Sequence, residues 1–304
     1  MLIMPKVFRV HLALFIVSLI YAATFSIAKE VMPVFVKPMG LIGVRVWGAI
    51  ILLWITHAIF VREKIRDQKD YFELMKCAVF GVAANMLLFF KGLSITTPIN
   101  GAILMVTTPL FVGFFSFFIL KEKVSALKII GLMLGLSGAL LLLIGPTLSF
   151  SSATLSGDVM VMLNAIIYSY YLIIAKPLLH KYNPITVIKW TFLFGGIMIL
   201  PFSIPELQEV NWQVIPSNIW ASIVFLIVGA TFLTYLLNGW ALRHANSSLV
   251  GAYIYLQPIL ASIIAIILSK DELTWQKIVF GFLIFAGVYL VSLPATFPLL
   301  RRKD

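Results

Sequence analysis

Residues 101–143 read GAILMVTTPLFVGFFSFFILKEKVSALKIIGLMLGLSGALLLL, and residues 251–292 read GAYIYLQPILASIIAIILSKDELTWQKIVFGFLIFAGVYLVS. Each stretch opens on Gly-Ala and runs through an apolar segment broken by Pro109 or Pro258. Each then turns through a charged segment holding Glu122 or Glu272 and resumes at Gly131 or Gly281 in a second apolar run. The glycines and glutamates recur at one constant offset, and the prolines fall one residue short of it. A repeat on this scale sets the architecture before any single residue is read.

Composition names the medium. Hydrophobic residues make up 61% of the 304 and charged residues 12%, with a mean hydropathy of +1.04. Soluble domains carry about 25% charged residues, so the chain reads as an all-α integral membrane protein. Its apolar runs are about 20 residues long, which at about 1.5 Å per residue spans a hydrocarbon core of roughly 30 Å. Bounded by charge, Pro and Gly, they fall at 12–28, 41–60, 74–90, 99–120, 126–144, 159–179, 185–202, 219–240, 249–268 and 278–293. The loops between these ten spans leave no room for a soluble domain. The first run is followed by Lys29 and Glu30 without a small-residue cleavage pattern, so it reads as a helix and not as a removed signal. The single cysteine, Cys77, excludes an internal disulfide.

The net charge of +11 is a matter of loops, not of nucleic acid. With the N-terminus inside, Lys and Arg crowd the inner segments, as in Arg62, Lys64, Arg66, Lys69 and Lys76, whereas the outer segments hold only Lys29, Lys37, Lys91, Lys270 and Lys277. The bias is roughly three to one, which places both termini in the cytoplasm and the chain in an inner or plasma membrane.

The repeat reaches beyond the opening stretch. Ile20-Tyr21 and Ala28-Lys29 in the first span recur at the same spacing as Ile167-Tyr168 and Ala175-Lys176 in the sixth, and Pro38 and Pro184 precede the second and seventh. Each half, 1–148 and 149–304, therefore holds five helices. Five is odd, so the second half enters the membrane inverted, the plan of many secondary transporters.

This order of features resembles the EamA family of the drug/metabolite transporter superfamily. Lys29 ending the first helix and Arg45 early in the second carry the resemblance, as does the segment from Lys91 to Pro98 before the fourth helix. The likeness covers nearly the whole chain. It implies a basket built around a cavity lined by helices one, three, four, six, eight and nine, with helices five and ten peripheral. It also implies secondary transport by alternating access, with export of amino acids or related metabolites favoured. A nucleotide-sugar-like or multidrug substrate stays open, as does a receptor or assembly protein on the same scaffold.

Polar groups at membrane depth are costly, about 2.5–3.5 kcal/mol for a central charge on insertion scales, so they face a cavity or a partner. Candidate cavity residues are Ser18 and Tyr21 on the first span, Asn85 on the third, and Thr107 and Thr108 on the fourth. Asn164, Tyr168 and Tyr171 share a face of the sixth, Thr234 and Asn238 a face of the eighth, and Tyr253 and Gln257 stand one turn apart on the ninth. Set against this, Ser, Thr and Asn in membrane helices often bond a neighbouring helix or their own carbonyls, and for the hydroxyls packing is the stronger reading. The pathway expected is polar, aromatic and mostly uncharged.

Pro109 and Pro258 are kink candidates. Lys29 and Glu30 are read as interfacial, with gating the sharper alternative. Arg45 is read as structural, paired with Glu30 or with helix carbonyls. Glu122 and Glu272 sit where a carboxylate favours the next helix's N-terminus, and Gly131 and Gly281 are packing positions; Gly131, Gly135 and Gly138 form a small-residue face that admits either internal packing or a homodimer. Embedded carboxylates are few, Glu30 and Asp158 at most, so proton coupling has little support.

Nothing reads as an enzyme. There is no Walker A loop, and His11, His57, His180 and His244 lack ligand spacing, so no cofactor or metal is expected. The implied partners are a small-molecule substrate and the lipid bilayer.

Overall fold

The structure is a computed structural model and describes residues 5–96, 98–122, 125–143, 154–267 and 274–293. Its helices are α1 (Lys6–Val31), α2 (Pro38–Phe60), α3 (Gln68–Ile95), α4 (Pro98–Met105 and Thr108–Leu120), α5 (Ala126–Leu143), α6 (Leu155–Lys181), α7 (Pro184–Gln208), α8 (Ser217–His244), α9 (Ser247–Ala252 and Leu256–Ile267) and α10 (Trp275–Ser292). Among the described residues nine of these are long and apolar enough to cross a membrane, and α5 is a shorter apolar helix. Several helices outrun their apolar stretch because polar turns continue them past the hydrocarbon. α3 begins at Gln68, where the Asp67 side chain accepts from the Lys69 amide at 3.0 Å. α7 begins at Pro184, whose fixed φ suits a first turn, with Asn183 accepting from Ile185 N at 3.0 Å.

The contacts between mates show the inversion. α2 packs along α7, and α5 along α10. The start of α2 meets the end of α7: Glu206 Oε2 accepts from Met39 N at 2.7 Å and Gly40 N at 2.9 Å. The other end is its counterpart, where Glu63 Oε2, just past α2, accepts from Asn183 N at 2.8 Å at the start of α7. Each carboxylate satisfies amides that a helix start leaves open and sits at its positive dipole end. In α5 and α10, a Cβ at Gly131 would come within 2.7 Å of Gly287 O, and one at Gly138 within 2.9 Å of Leu283 Cβ. Early α5 thus faces late α10. Both pairs run antiparallel, as inverted repeats require.

The remaining helices cross between repeats. α1 packs on α8 and α9, and α6 on α3 and α4. Mates α3 and α8 each carry a π-turn, Val79–Ala83 and Val228–Leu233, which frees carbonyls for partners elsewhere. Gly81 O accepts from the Tyr235 hydroxyl at 2.8 Å, and Ala230 O from Arg45 Nη2 at 3.4 Å.

The proline breaks go further than kinks. α4 is interrupted at 106–107, with Pro109 in the first turn of its second piece. α9 passes through a 3-10 turn, Tyr253–Tyr255, just before Pro258. Gly131, Gly135 and Gly138 are filled by α10 and Tyr255, leaving that face no room for a second copy. Glu272 lies outside the described residues, as does the side chain of Lys29. Glu30 is exposed at the end of α1.

Candidate functional site

A cavity of about 110 Å³ lies where the repeats meet. Ser18 and Tyr21 of α1, Asn85 of α3, Asn164 and Tyr168 of α6, Asn238 of α8, and Tyr253 and Gln257 of α9 all line it. Leu14, Val17, Met86, Phe89, Phe90 and Leu172 supply apolar wall between them.

Tyr21 and Tyr168, equivalent in the two repeats, meet at the centre. Tyr21 stands beside the side chains of Tyr168, Asn238 and Thr234, and Asn238 Nδ2 donates to the Tyr168 hydroxyl at 3.4 Å. Asn164 Nδ2 donates to the Asn85 carbonyl at 2.7 Å, which ties α6 to α3 in the wall. Ser18 Oγ donates to the Tyr253 carbonyl at 2.8 Å and shares the Leu14 carbonyl at 3.0 Å. Tyr253 presents its hydroxyl to His11 Nδ1 at 2.6 Å. These groups are thus held in place before any solute arrives.

Four of the expected residues stand off the wall. Among the described residues of the broken α4, only Met105 lines the cavity. Thr107 turns its hydroxyl to the Leu104 carbonyl at 2.6 Å, and Thr108 is fully buried, its own carbonyl accepting from Ser169 at 3.1 Å. Tyr171 packs against the α3 π-turn, where a Cβ on Gly81 would meet its ring at 2.4 Å. Thr234 bonds the Ala230 carbonyl at 2.9 Å and backs Tyr21 from behind the wall.

Arg45, expected as a structural residue beside a mostly uncharged pathway, is among the lining residues. It is 4% exposed. Its Nε donates to Thr231 Oγ1 at 3.0 Å, and its guanidinium stacks over Phe90 at 4.7 Å. Of the two partners expected, helix carbonyls are met in Ala230, and exposed Glu30 is not.

The end of the bundle at which α1 begins carries a polar knot. Lys176 of α6 pairs with Glu122, past the end of α4, at 2.5 Å, and donates to the Ala245 carbonyl at 3.0 Å. Glu122 also accepts from Ser116 at 2.6 Å and from the Ser247 hydroxyl at 3.2 Å at the start of α9. Burial pushes the Glu122 carboxyl up, but Lys176, Ser116 and the Ser247 amide outweigh it and hold it below its ordinary value of 4.5. At the opposite end Asp158, starting α6, accepts from Thr96, from Thr154 at 3.2 Å and from Asn100 at 3.4 Å. Among the described residues no three His, Cys, Asp or Glu side chains gather as a metal site.

Residues 8–144 and 155–293 each match the model of the EamA-like transporter family. The chain belongs to that family. Among the relatives of this EamA-like protein, an uncharacterized transporter of Archaeoglobus fulgidus is 26% identical over 291 residues, covering 93% of this chain and 97% of the relative. The uncharacterized transporter YyaM of Bacillus subtilis is 23% identical over 304 residues, covering 98% of each chain. YicL of Salmonella typhimurium, named an uncharacterized inner membrane transporter, is 23% identical over 251 residues, covering 80% of this chain and 81% of the relative. A crystal structure 17% identical in sequence superposes with a TM-score of 0.76 over 97% of this chain and 99% of the other, which makes the EamA-like fold one already seen in a solved protein. The protein is a multi-pass membrane protein of transporter type.

Proposed function

We propose that this protein is a secondary transporter of small organic solutes that works by alternating access, with residues 1–148 and 149–304 rocking about the cavity between them. The supporting observation is a preformed cavity of Tyr, Asn, Gln and apolar side chains at the repeat interface, with the Glu122–Lys176 pair tying helices of the two repeats together at one end of the bundle. Midplane sites between inverted repeats serve this purpose in many secondary transporters. The excess of Lys and Arg on the N-terminal side favours cytoplasmic termini in an inner or plasma membrane, and the knot then lies at the cytoplasmic end. Amide and phenol groups over an apolar wall suit an amino acid or related metabolite, moving outward.

Counterflow in proteoliposomes tests this. Vesicles preloaded with an unlabelled amino acid should accumulate the labelled one transiently above equilibrium. Absence of exchange across a panel of amino acids, nucleotide sugars and cationic drugs sinks the transport reading.

A further inference from the structure

Arg45 is a buried cation in the cavity wall, and among the described residues it has no carboxylate partner. Two of its nitrogens are engaged, Nε with Thr231 and Nη2 with the Ala230 carbonyl, and Phe90 covers one face of the guanidinium. Nη1 is buried and has no hydrogen-bond partner. Guanidinium has five N–H donors and stays charged in proteins. With two donors spent, both protons of Nη1 and one of Nη2 remain, along the edge that receives a carboxylate in a two-bond fork. Among the described residues no Asp or Glu lines the cavity and no ion pair includes Arg45.

A buried charge left unpaired is expensive. It is kept at little cost only where a ligand supplies the missing anion for part of the cycle. We propose that Arg45 anchors a carboxylate of the transported solute, so that the substrates are carboxylated amphiphiles and not cations or neutral amides. The inference rests on the transport reading for its meaning, although binding alone can test it. Thr231 and the α8 π-turn hold the guanidinium still, Phe90 shields it from one side, and the Tyr and Asn groups beyond receive the rest of the solute. A cationic drug in the same cavity meets Arg45 with no acid to offset it.

The test is a thermal-shift titration of the full chain in detergent. The probes are phenylacetate against phenylacetamide, phenylalanine against phenylalaninamide, and phenyl phosphate. The acids should raise the melting midpoint at concentrations about tenfold or more below those needed by the amides. Arg45→Gln should erase that difference, and Arg45→Lys, which keeps the charge and loses the fork, should keep part of it. Should Arg45→Gln not fold, the acid-to-amide comparison in the natural chain and in Arg45→Lys decides the matter. Equal potency of acids and amides, no shift with any acid, or a preference that survives in Arg45→Gln overturns the proposal; stronger binding of phenyl phosphate than of phenylacetate replaces carboxylate by phosphate and overturns it too. Counterflow separates the two readings: an acid preference without exchange removes transport and leaves the anchor, whereas exchange without an acid preference removes the anchor and leaves transport.

Discussion

Lys176 Nζ lies 2.5 Å from Glu122 Oε1 and 3.0 Å from the Ala245 carbonyl, so a single ammonium group joins the end of α4 to the loop that starts α9. The two helices belong to different repeats. Rocking of one repeat against the other has to break this contact or carry it along.

The first prediction follows from that alternative. A hydrogen bond to a charged group is worth about 1.5–3 kcal/mol, and the side chains of Lys176 and Glu122 are only 12% and 15% exposed, so screening by solvent is modest. Glu122→Gln and Lys176→Met should each lower the melting midpoint. Each should also speed maleimide labelling of Val250→Cys, at the α9 end of the cavity, in a background with Cys77 replaced. Lower stability with unchanged labelling makes the pair a staple and not a gate.

The pH dependence of the knot has a definite sign. Glu122 is held below its ordinary value of 4.5 in the folded state, so its contribution is present in full above that value and is lost as pH falls through the depressed one. The difference in melting midpoint between the natural chain and Glu122→Gln should stay constant from about pH 6 to about pH 8 and shrink only below about pH 4.5. A transport profile that bends near neutrality must come from another group.

Helix packing gives a prediction that leaves the cavity alone. A Cβ at Gly287 would sit 2.5 Å from Gly135 N and 2.7 Å from Gly131 O, both backbone atoms that cannot swing aside. Gly287→Ala should cost about 1–3 kcal/mol, the usual range for overpacking. Gly101→Ala meets Leu93 Cδ1 at 3.3 Å and Thr96 Cγ2 at 3.8 Å, both ends of side chains, and should be close to neutral. Paired thermal melts check both, with ligand affinity unchanged in whatever Gly287→Ala protein folds.

The medium, the repeat and the proline breaks are legible in the sequence because each is written locally, in apolar runs and in residues with fixed backbone habits. The limits of the cavity wall are not. Thr107 and Thr108 share the fourth helix with Met105, and only the interruption at 106–107 decides that Met105 and neither threonine reaches the cavity. Glu63 and Glu206 look like loop acids until α2 and α7 are set antiparallel and each caps the other's start. The π-turns carry no breaker residue beyond Gly81 and Gly229, so nothing local announces the carbonyls that fix Tyr235 and Arg45. Arg45 itself sits about 10 Å along α2, by the rise per residue; spacing shows its depth but not the helix face it occupies.

The central tyrosines supply the last prediction. The Tyr168 hydroxyl accepts from Asn238, and Tyr168→Phe deletes that hydroxyl while keeping the ring. If the axis of the cavity touches the solute, the KM for counterflow should rise by about three- to tenfold, the loss of one hydrogen bond of about 1 kcal/mol, with little change in melting midpoint because the one bond lost inside the protein is the long 3.4 Å contact from Asn238. Asn164→Ala should behave differently. It takes the amide donor from the buried Asn85 carbonyl and opens a gap in the wall, so stability and transport should fall together. A Tyr168→Phe protein with unchanged KM takes the tyrosine pair off the pathway, and the solute must then travel along the Asn85 and Gln257 side of the cavity.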